Sequence, residues 1–483
     1  MVMFALLLVP LLLMAGLAVD VGGWYNRTSD IQKAADSAAL AGVVWLPDAA
    51  RATQYSREAA ARNGFVHGAD GITVVAQPVP GTTRQLRVTI TDPRVGSFFF
   101  ESLGGREISL ARSGTGEYVL PVPLGSPENR FGTDMSLPAA QRANLWGNIH
   151  GPKTDNINGD AYAAGCRSGH NCAINNNPIH RPQGYLYAID VGPGVANMDV
   201  QVYDAGLYDR GSDESVETGD RVYTSSGSTS TVWTMYQADA TELDVSDNPP
   251  VASTGFCQSG AGQWTLGQGI SPATYRNRWQ SICARSGTVP EGRYLLRVQT
   301  TGNGSAANRY ALRVLASSAA KPRIAGYGDM SMYNNVAAGS ATFYLAEVDP
   351  VHRGKTLELR LYDPGEVNRI AGTTGNGTLQ VIGPDGTVVP SCIGVHNGSN
   401  SGGRFNSGST LSPCQVQTAS GGSARYNGLW LTLQLPLADD YSCTMGTIPG
   451  CWWRIRYDIN GQGNDTTTWA AQIVGDPVHL IEE

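Results

Sequence analysis

The sequence predicts an α+β multidomain protein: an N-terminal transmembrane or filament helix, a small α/β module, and two duplicated antiparallel β-sandwiches of jelly-roll type. Three observations carry this. Residues 1–19 hold no charged side chain and are apolar apart from Pro10 and Gly16. The rest of the chain is rich in Ser, Thr, Asn, Tyr and turn residues, with 59 Gly and 26 Pro and only 16% charged residues, which favours short strands joined by turns. Finally, several strand-like segments recur at one common offset. The expected boundaries are 1–46 for the helix and its extension, 47–118 for the α/β module, and 119–318 and 319–483 for the sandwiches.

The helix comes first. A hydrocarbon core about 30 Å thick takes roughly 20 helical residues, so Met1 to about Gly23 is long enough to span. The rival reading is a cleavable signal peptide. Against it stand the missing positive flank, the length of the apolar run and its helical continuation through Gln32 to Leu46. No comparable apolar run follows, which places the bulk of the chain on one side. Within the continuation Ala34, Ala38 and Gly42 recur every fourth residue, so they line one helix face with small side chains and let another backbone approach closely. That face suits packing on the module's own sheet or on a second helix. Asp20, where the apolar run ends, sits at the membrane surface in the simplest reading, and inside a bundle it requires a partner charge or amide.

Eight cysteines, Cys166, Cys172, Cys257, Cys283, Cys392, Cys414, Cys443 and Cys451, all follow the apolar segment. An even number in a polar, Gly-rich chain points to disulfides formed in an oxidising compartment, hence to bulk outside the cell. The local scheme pairs 166 with 172, 257 with 283, 392 with 414 and 443 with 451. The repeat described below offers another, 414 with 443 and 392 with 451. Around Cys166-Arg-Ser-Gly-His170-Asn-Cys172 a zinc site is the alternative, although only three ligands lie close together.

The repeat aligns Asp199-Val-Gln-Val-Tyr-Asp-Ala-Gly206 with Glu358-Leu-Arg-Leu-Tyr-Asp-Pro-Gly365. The same offset carries Tyr294-Leu-Leu-Arg-Val298 onto Trp453-Arg-Ile-Arg-Tyr457 and Tyr310-Ala-Leu-Arg-Val314 onto Trp469-Ala-Ala-Gln-Ile473. Each unit opens with an aromatic-rich strand, 185–191 or 342–348. An alternating strand ending in Tyr-Asp-x-Gly follows, and two more alternating strands close the unit. Period-two alternation bounded by turn residues belongs to a half-buried antiparallel sheet. The last strands resemble the accessory sandwiches that follow secreted peptidases, a likeness of fold alone.

The N-terminal stretch Phe4-Ala-Leu-Leu-Leu-Val-Pro-Leu-Leu-Leu-Met-Ala-Gly-Leu-Ala-Val-Asp-Val-Gly22, followed by Gln32-Lys-Ala-Ala-Asp-Ser-Ala-Ala-Leu-Ala-Gly42, resembles the TadE/TadG-like proteins of tight-adherence (Tad, or Flp) pilus systems, and residues 118–190 resemble the actinobacterial TadG-related type. The likeness covers about the first quarter of the chain. It extends through the strands 72–76 and 86–91, the stretch Phe98-Phe-Phe100 and the segment Glu117 to Pro127. It implies an anchored component of the cell envelope or of an extracellular pilus, whose partners are the membrane, other Tad pilus components or copies of itself. The von Willebrand-type metal motif of some relatives is absent, since Asp329-Met-Ser-Met-Tyr333 lacks its last serine. A prepilin-type processing site is lacking as well.

No catalytic role emerges. The histidines form no His-Glu-x-x-His motif, and neither a Gly-x-Ser-x-Gly elbow nor a phosphate loop is present. The expectation is therefore a non-enzyme without catalytic or cofactor-binding residues and without a required cofactor. One calcium candidate remains, Asn156, Asn158 and Asp160 in an Asn/Gly-rich stretch, with an ordinary turn as the rival. The net charge of −7 leaves no basic footprint for nucleic acid. The competing function is a cell-surface adhesin or carbohydrate-binding protein, with surface glycans as partners.

Overall fold

The computed structural model describes the chain apart from Met1 and residues 47, 81, 83, 98, 101–106, 139–141, 143, 167–175, 208–217, 225, 240, 242–244, 268–271, 337–338, 366–375, 422, 461–462, 475–477 and 482–483; in the first helix, side chains are described from Met14. Contacts divide it into two units: 1–120 with 240–247 and 475–483, and 121–239 with 248–474.

The first unit is an α/β module. Helix α1 (Val2–Val43) runs through the apolar segment and its Ala-rich extension, and α2 (Ala49–Arg62) follows. Asp48 caps α2 by accepting the amides of Ala50 and Arg51, which satisfies donors that a helix start leaves orphaned. Strands β1 (Thr73–Pro78), β2 (Gln85–Val95) and β3 (Ile108–Tyr118) form an antiparallel sheet. Both helices pack on it through Ile31, Ala35, Ala39, Val43, Ala52, Ala60, Val74, Val88 and Ile90, all buried.

The second unit is antiparallel β throughout its sheets. Residues 119–318 supply β4 (Pro123–Leu124), β5 (Arg130–Phe131), β6 (Leu145–His150), β7 (Tyr185–Val191), β8 (Ala196–Tyr203), β9 (Arg221–Val222) and β10 (Thr229–Tyr236). They continue with β11 (Gln263–Gly267), a short helix α3 (Pro272–Tyr275), β12 (Trp279–Thr288), β13 (Gly292–Gly302) and β14 (Ala306–Leu315). Residues 319–483 supply β15 (Arg323–Tyr327), β16 (Asp329–Val336), β17 (Gly339–Glu347), β18 (Thr356–Tyr362), β19 (Asn376–Ile382), β20 (Cys392–His396) and β21 (Ser409–Leu411). Then come β22 (Gln415–Ser420), β23 (Ser423–Ala424), β24 (Trp430–Pro436), β25 (Trp452–Asn460) and β26 (Gly463–Ile473). The last strand, β27 (Val478–Leu480), returns to the first unit and pairs with β3.

Two large sheets enclose one core. The first runs β11-β10-β13-β7-β15-β4-β17-β25-β19-β22-β23, and the second β12-β8-β14-β6-β16-β26-β18-β24-β20-β21. Each order reads alike from both ends: β13 lies between β10 and β7 as β25 lies between β19 and β17, and β8 lies between β12 and β14 as β18 lies between β24 and β26. At the middle the segments cross over. β15, from the later segment, pairs with β7 of the earlier one, and β4, from the earlier, pairs with β17 of the later. β6 bridges β14 and β16 in the second sheet. Residues 119–318 and 319–483 are thus hydrogen-bonded into common sheets. Alternate residues face the shared core, among them Val200 and Val202 on β8 and Leu359 and Leu361 on β18. Each fully buried side chain of this size stabilises by about 1.5–3 kcal/mol.

The repeated Tyr-Asp-x-Gly ends share a backbone feature. Asp204 and Asp363 adopt left-handed conformations, φ 57° and 59°. Their carboxylates accept the amides of Asn277 at 3.2 Å and Gly428 at 2.8 Å, just ahead of β12 and β24. Asp tolerates the left-handed region better than most residues, and here each carboxylate also ties its corner to a distant segment of the chain.

Candidate functional site

The small-residue stripe is where α1 meets the rest of its module. Ala34 and Ala38 are fully buried. At Gly42 a Cβ would lie 2.0 Å from Ser56 Oγ and 2.7 Å from both Ala52 O and Leu86 Cδ2, so only glycine lets α2 and β2 come this close. Ser56 Oγ in turn donates to Ala38 O at 3.0 Å. The sheet side has matching glycines: a Cβ on Gly114 would meet Asp36, and one on Gly116 would meet Ala39 O at 2.9 Å. Gln32 closes the contact by donating to Ser113 O at 2.9 Å and to Asp36 at 2.8 Å.

Nearer the N-terminus, α1 is held by a polar latch. Asp20 is buried, and its carboxylate accepts the backbone amides of Phe99 at 3.0 Å and Phe100 at 2.7 Å. The simplest expectation put Asp20 at a membrane surface; here it finds the backbone amides that its burial requires. The Phe99 ring lies against Gly16, where a Cβ would come within 2.6 Å, and Phe100 meets Trp24 edge-on at 6.1 Å. Phe98 lies outside the described residues. One turn on, Arg27 grips Asp92 through Nε at 2.8 Å and Nη2 at 2.5 Å while its guanidinium covers Phe65. Around this latch α1 is bare and apolar: Met14, Leu17, Val19, Val21 and Tyr25 are exposed, Met14 by 72%. Among the described residues no helix is long and apolar enough to cross a membrane.

In the β-unit, disulfides join Cys257 to Cys283, Cys392 to Cys414 and Cys443 to Cys451. These are three pairs of the local scheme, and the crossed pairing suggested by the repeat does not form. Cys166 is also disulfide-bonded. Its expected partner Cys172, and His170 of the zinc alternative, lie outside the described residues. The pairs close segments with sequence separations of 26, 22 and 8 residues, each restricting the unfolded chain.

The calcium candidates share one turn but turn their side chains to the protein. Asn156 and Asn158 lie in a single 3-10 turn, where Asn158 Nδ2 donates to Asp155 O at 3.1 Å. Asp160 accepts the Tyr185 hydroxyl and the Tyr162 amide. Burial pushes its carboxyl up to about 6. Among the described residues no three His, Cys, Asp or Glu side chains cluster to hold a metal ion.

Residues 1–54 match the family described as Putative Flp pilus-assembly TadE/G-like. Over these residues the chain is similar to that family. The match ends inside α2, so it takes in the apolar run, Asp20 and the whole small-residue stripe. A family of this kind belongs to the cell envelope or surface, and its domain suggests a part in assembling a Tad/Flp pilus together with other pilus components. No curated protein matches the chain.

Sequence reasoning missed the latch partners. Asp92, Phe99 and Phe100 lie far along the chain from the helix residues they hold, and an isolated Arg or Asp carries no pairing signal. The one legible hint was the requirement that a buried Asp20 find an amide or a charge.

Proposed function

We propose that this chain is a structural or assembly component of a Tad/Flp-type surface pilus, held by its N-terminal helix with the disulfide-stiffened β-unit displayed outside the cell. The carrying observation is the division of labour along α1. The segment 31–43 is locked into its own module by residues too small to leave a gap, whereas from Met14 to Tyr25 apolar side chains stand exposed, continuous with the apolar run that precedes them. A contiguous exposed apolar surface of this kind marks a site of membrane or protein contact. The disulfides support an oxidising compartment.

The matching strand orders, together with the Asp204 and Asp363 corners, support the reading that the β-unit arose by internal duplication, with β4 and β15 exchanged between the copies. On this reading the unit serves as a rigid spacer or docking body and not as an enzyme. Site-directed photocrosslinking tests the proposal: a crosslinker at Leu17 or Val21 is expected to capture lipid or another pilus component, and one at Arg57, exposed on α2, neither. Equal capture from both positions overturns it.

A further inference from the structure

The chain carries five Asn-x-Ser/Thr sequons, at Asn26, Asn303, Asn376, Asn397 and Asn464. A sequon accepts a glycan where it forms a surface loop, because the amide and the hydroxyl two residues on must both enter an enzyme's active site. In the folded chain four of the five fail this requirement. Asn26 and Thr28 lie within α1. Ser305 is buried, and its hydroxyl donates to Thr154 Oγ1 at 3.4 Å. Thr378 is half-buried inside β19, paired to β22 on one side and β25 on the other, and Thr466 is buried inside β26.

Asn397-Gly-Ser399 differs. It opens the loop 397–408, which joins β20 to β21, the last strand of the second sheet. Asn397 and Ser399 are both exposed. The ends of the loop are pinned together: Ser407 Oγ accepts from His396 N at 3.0 Å and donates to His396 O at 3.1 Å, and Gly408 N donates to Gly394 O at 2.7 Å. Its interior is held by its own side chains. Phe405 meets the rings of His396 and Tyr426, while Arg404 donates to Ser399 O at 2.9 Å and to Arg425 O at 2.6 Å. A closed, self-packed surface loop of this size is an Ω-loop, which presents its exposed residues in a fixed arrangement.

The acceptor itself is preset. Asn397 Oδ1 accepts from Trp430 N at 2.9 Å, and Asn397 N donates to Trp430 O at 3.3 Å. The amide carbonyl is thereby fixed, whereas Nδ2, the atom that bonds to a sugar, has no partner among the described residues. A glycosylated amide keeps its carbonyl oxygen, so the bond to Trp430 survives the modification.

We propose that Asn397 is an N-glycan acceptor, modified by a transferase that uses a lipid-pyrophosphate-linked saccharide outside the cytoplasm. In the transfer Nδ2 bonds to the sugar C1 and gives up one proton to the transferase, while the bond from C1 to the pyrophosphate oxygen breaks and the lipid pyrophosphate leaves with the electron pair. A bulky hydrated group on this loop stands beside the edge of the second sheet, where an edge strand otherwise invites pairing with another chain. The proposal rests on the reading that the β-unit is displayed outside the cell.

The test is electron-transfer mass spectrometry, which leaves sugars on their side chains, of the full chain recovered from the envelope of its own host. The peptide bearing Asn397 is expected to be heavier by whole sugar residues located on that side chain in most copies. Ser399→Ala is expected to lower this occupancy at least tenfold, and Ser399→Thr to keep it. Bare Asn397 in copies whose disulfides have formed overturns the proposal and leaves the pilus reading standing; bare Asn397 together with free thiols removes both. Sugar that persists in Ser399→Ala, or that maps to Ser399 itself, also overturns the proposal.

Discussion

Replacing Gly42 with alanine is the sharpest probe of how α1 is held. The added methyl would sit 2.0 Å from Ser56 Oγ and 2.7 Å from the Ala52 carbonyl oxygen and Leu86 Cδ2. Ser56 would have to swing away and give up its bond to Ala38 O, at a cost near 1 kcal/mol. The backbone of α2 has to retreat as well, and overpacking of this kind costs about 1–3 kcal/mol. Alanine returns up to about 1 kcal/mol of helix propensity, which leaves a net loss of about 2 kcal/mol. Gly22→Ala is the control. No atom lies within 4 Å of a Cβ there, so only the propensity gain of up to about 1 kcal/mol remains. Hydrogen exchange of the α2 amides, followed by mass spectrometry on the full chain, reads the difference: at about 1.4 kcal/mol per factor of ten, Gly42→Ala should lower protection about 30-fold. Protection equal to the wild type in Gly42→Ala would refute the packing described here, since it would mean that α1 and α2 do not touch at this point.

Three further outcomes follow from the same contacts. Asp20→Ala removes the acceptor of two backbone amides and should release the 99–100 segment at a cost of about 1–3 kcal/mol, read as a change in Trp24 fluorescence because Trp24 packs on Phe100; an unaltered spectrum would deny the latch. Removing the Cys392–Cys414 bridge by double serine substitution should cost about 3 kcal/mol for a closed segment of 22 residues, visible as a lower urea midpoint, and an unchanged midpoint would speak against the bridge. Asp160 has a raised folded value of about 6 against 3.8, so its ionised form burdens the fold at neutral pH and that burden lifts as pH falls from about 6 to about 4. Wild type should therefore gain up to about 3 kcal/mol over Asp160→Asn across that window, while His150, set by burial and Arg309, contributes equally to both proteins. Parallel stability curves for the two proteins would contradict the buried placement of Asp160.

What could be read in advance was local or periodic. The small-residue stripe of α1 announces itself at every fourth position, and β8 and β18 announce themselves by alternation, which the core then uses residue for residue. The three described disulfides follow from short separations alone. Strand β3 was hidden because α1 lies across it: the Gly114 and Gly116 that permit this contact replace the alternating apolar residues by which a strand is recognised. The pairing of β15 with β7 and of β4 with β17 was equally illegible, since strand pairing across such separations depends on how distant segments meet and not on either segment. The connection 151–184 was illegible as well, since its Asn and Gly residues looked like an ordinary turn.

The central claim is that the apolar amino-terminal helix is retained and carries an oxidised β-unit outside the cytoplasm. Mass spectrometry of the native polypeptide recovered from the cell envelope, run with and without reduction, tests it most directly. The account predicts a chain that still contains residues 14–43, with Cys257, Cys283, Cys392, Cys414, Cys443 and Cys451 all resistant to alkylation until reduced. A polypeptide beginning downstream of Gly42, or one whose six thiols alkylate freely, would contradict it.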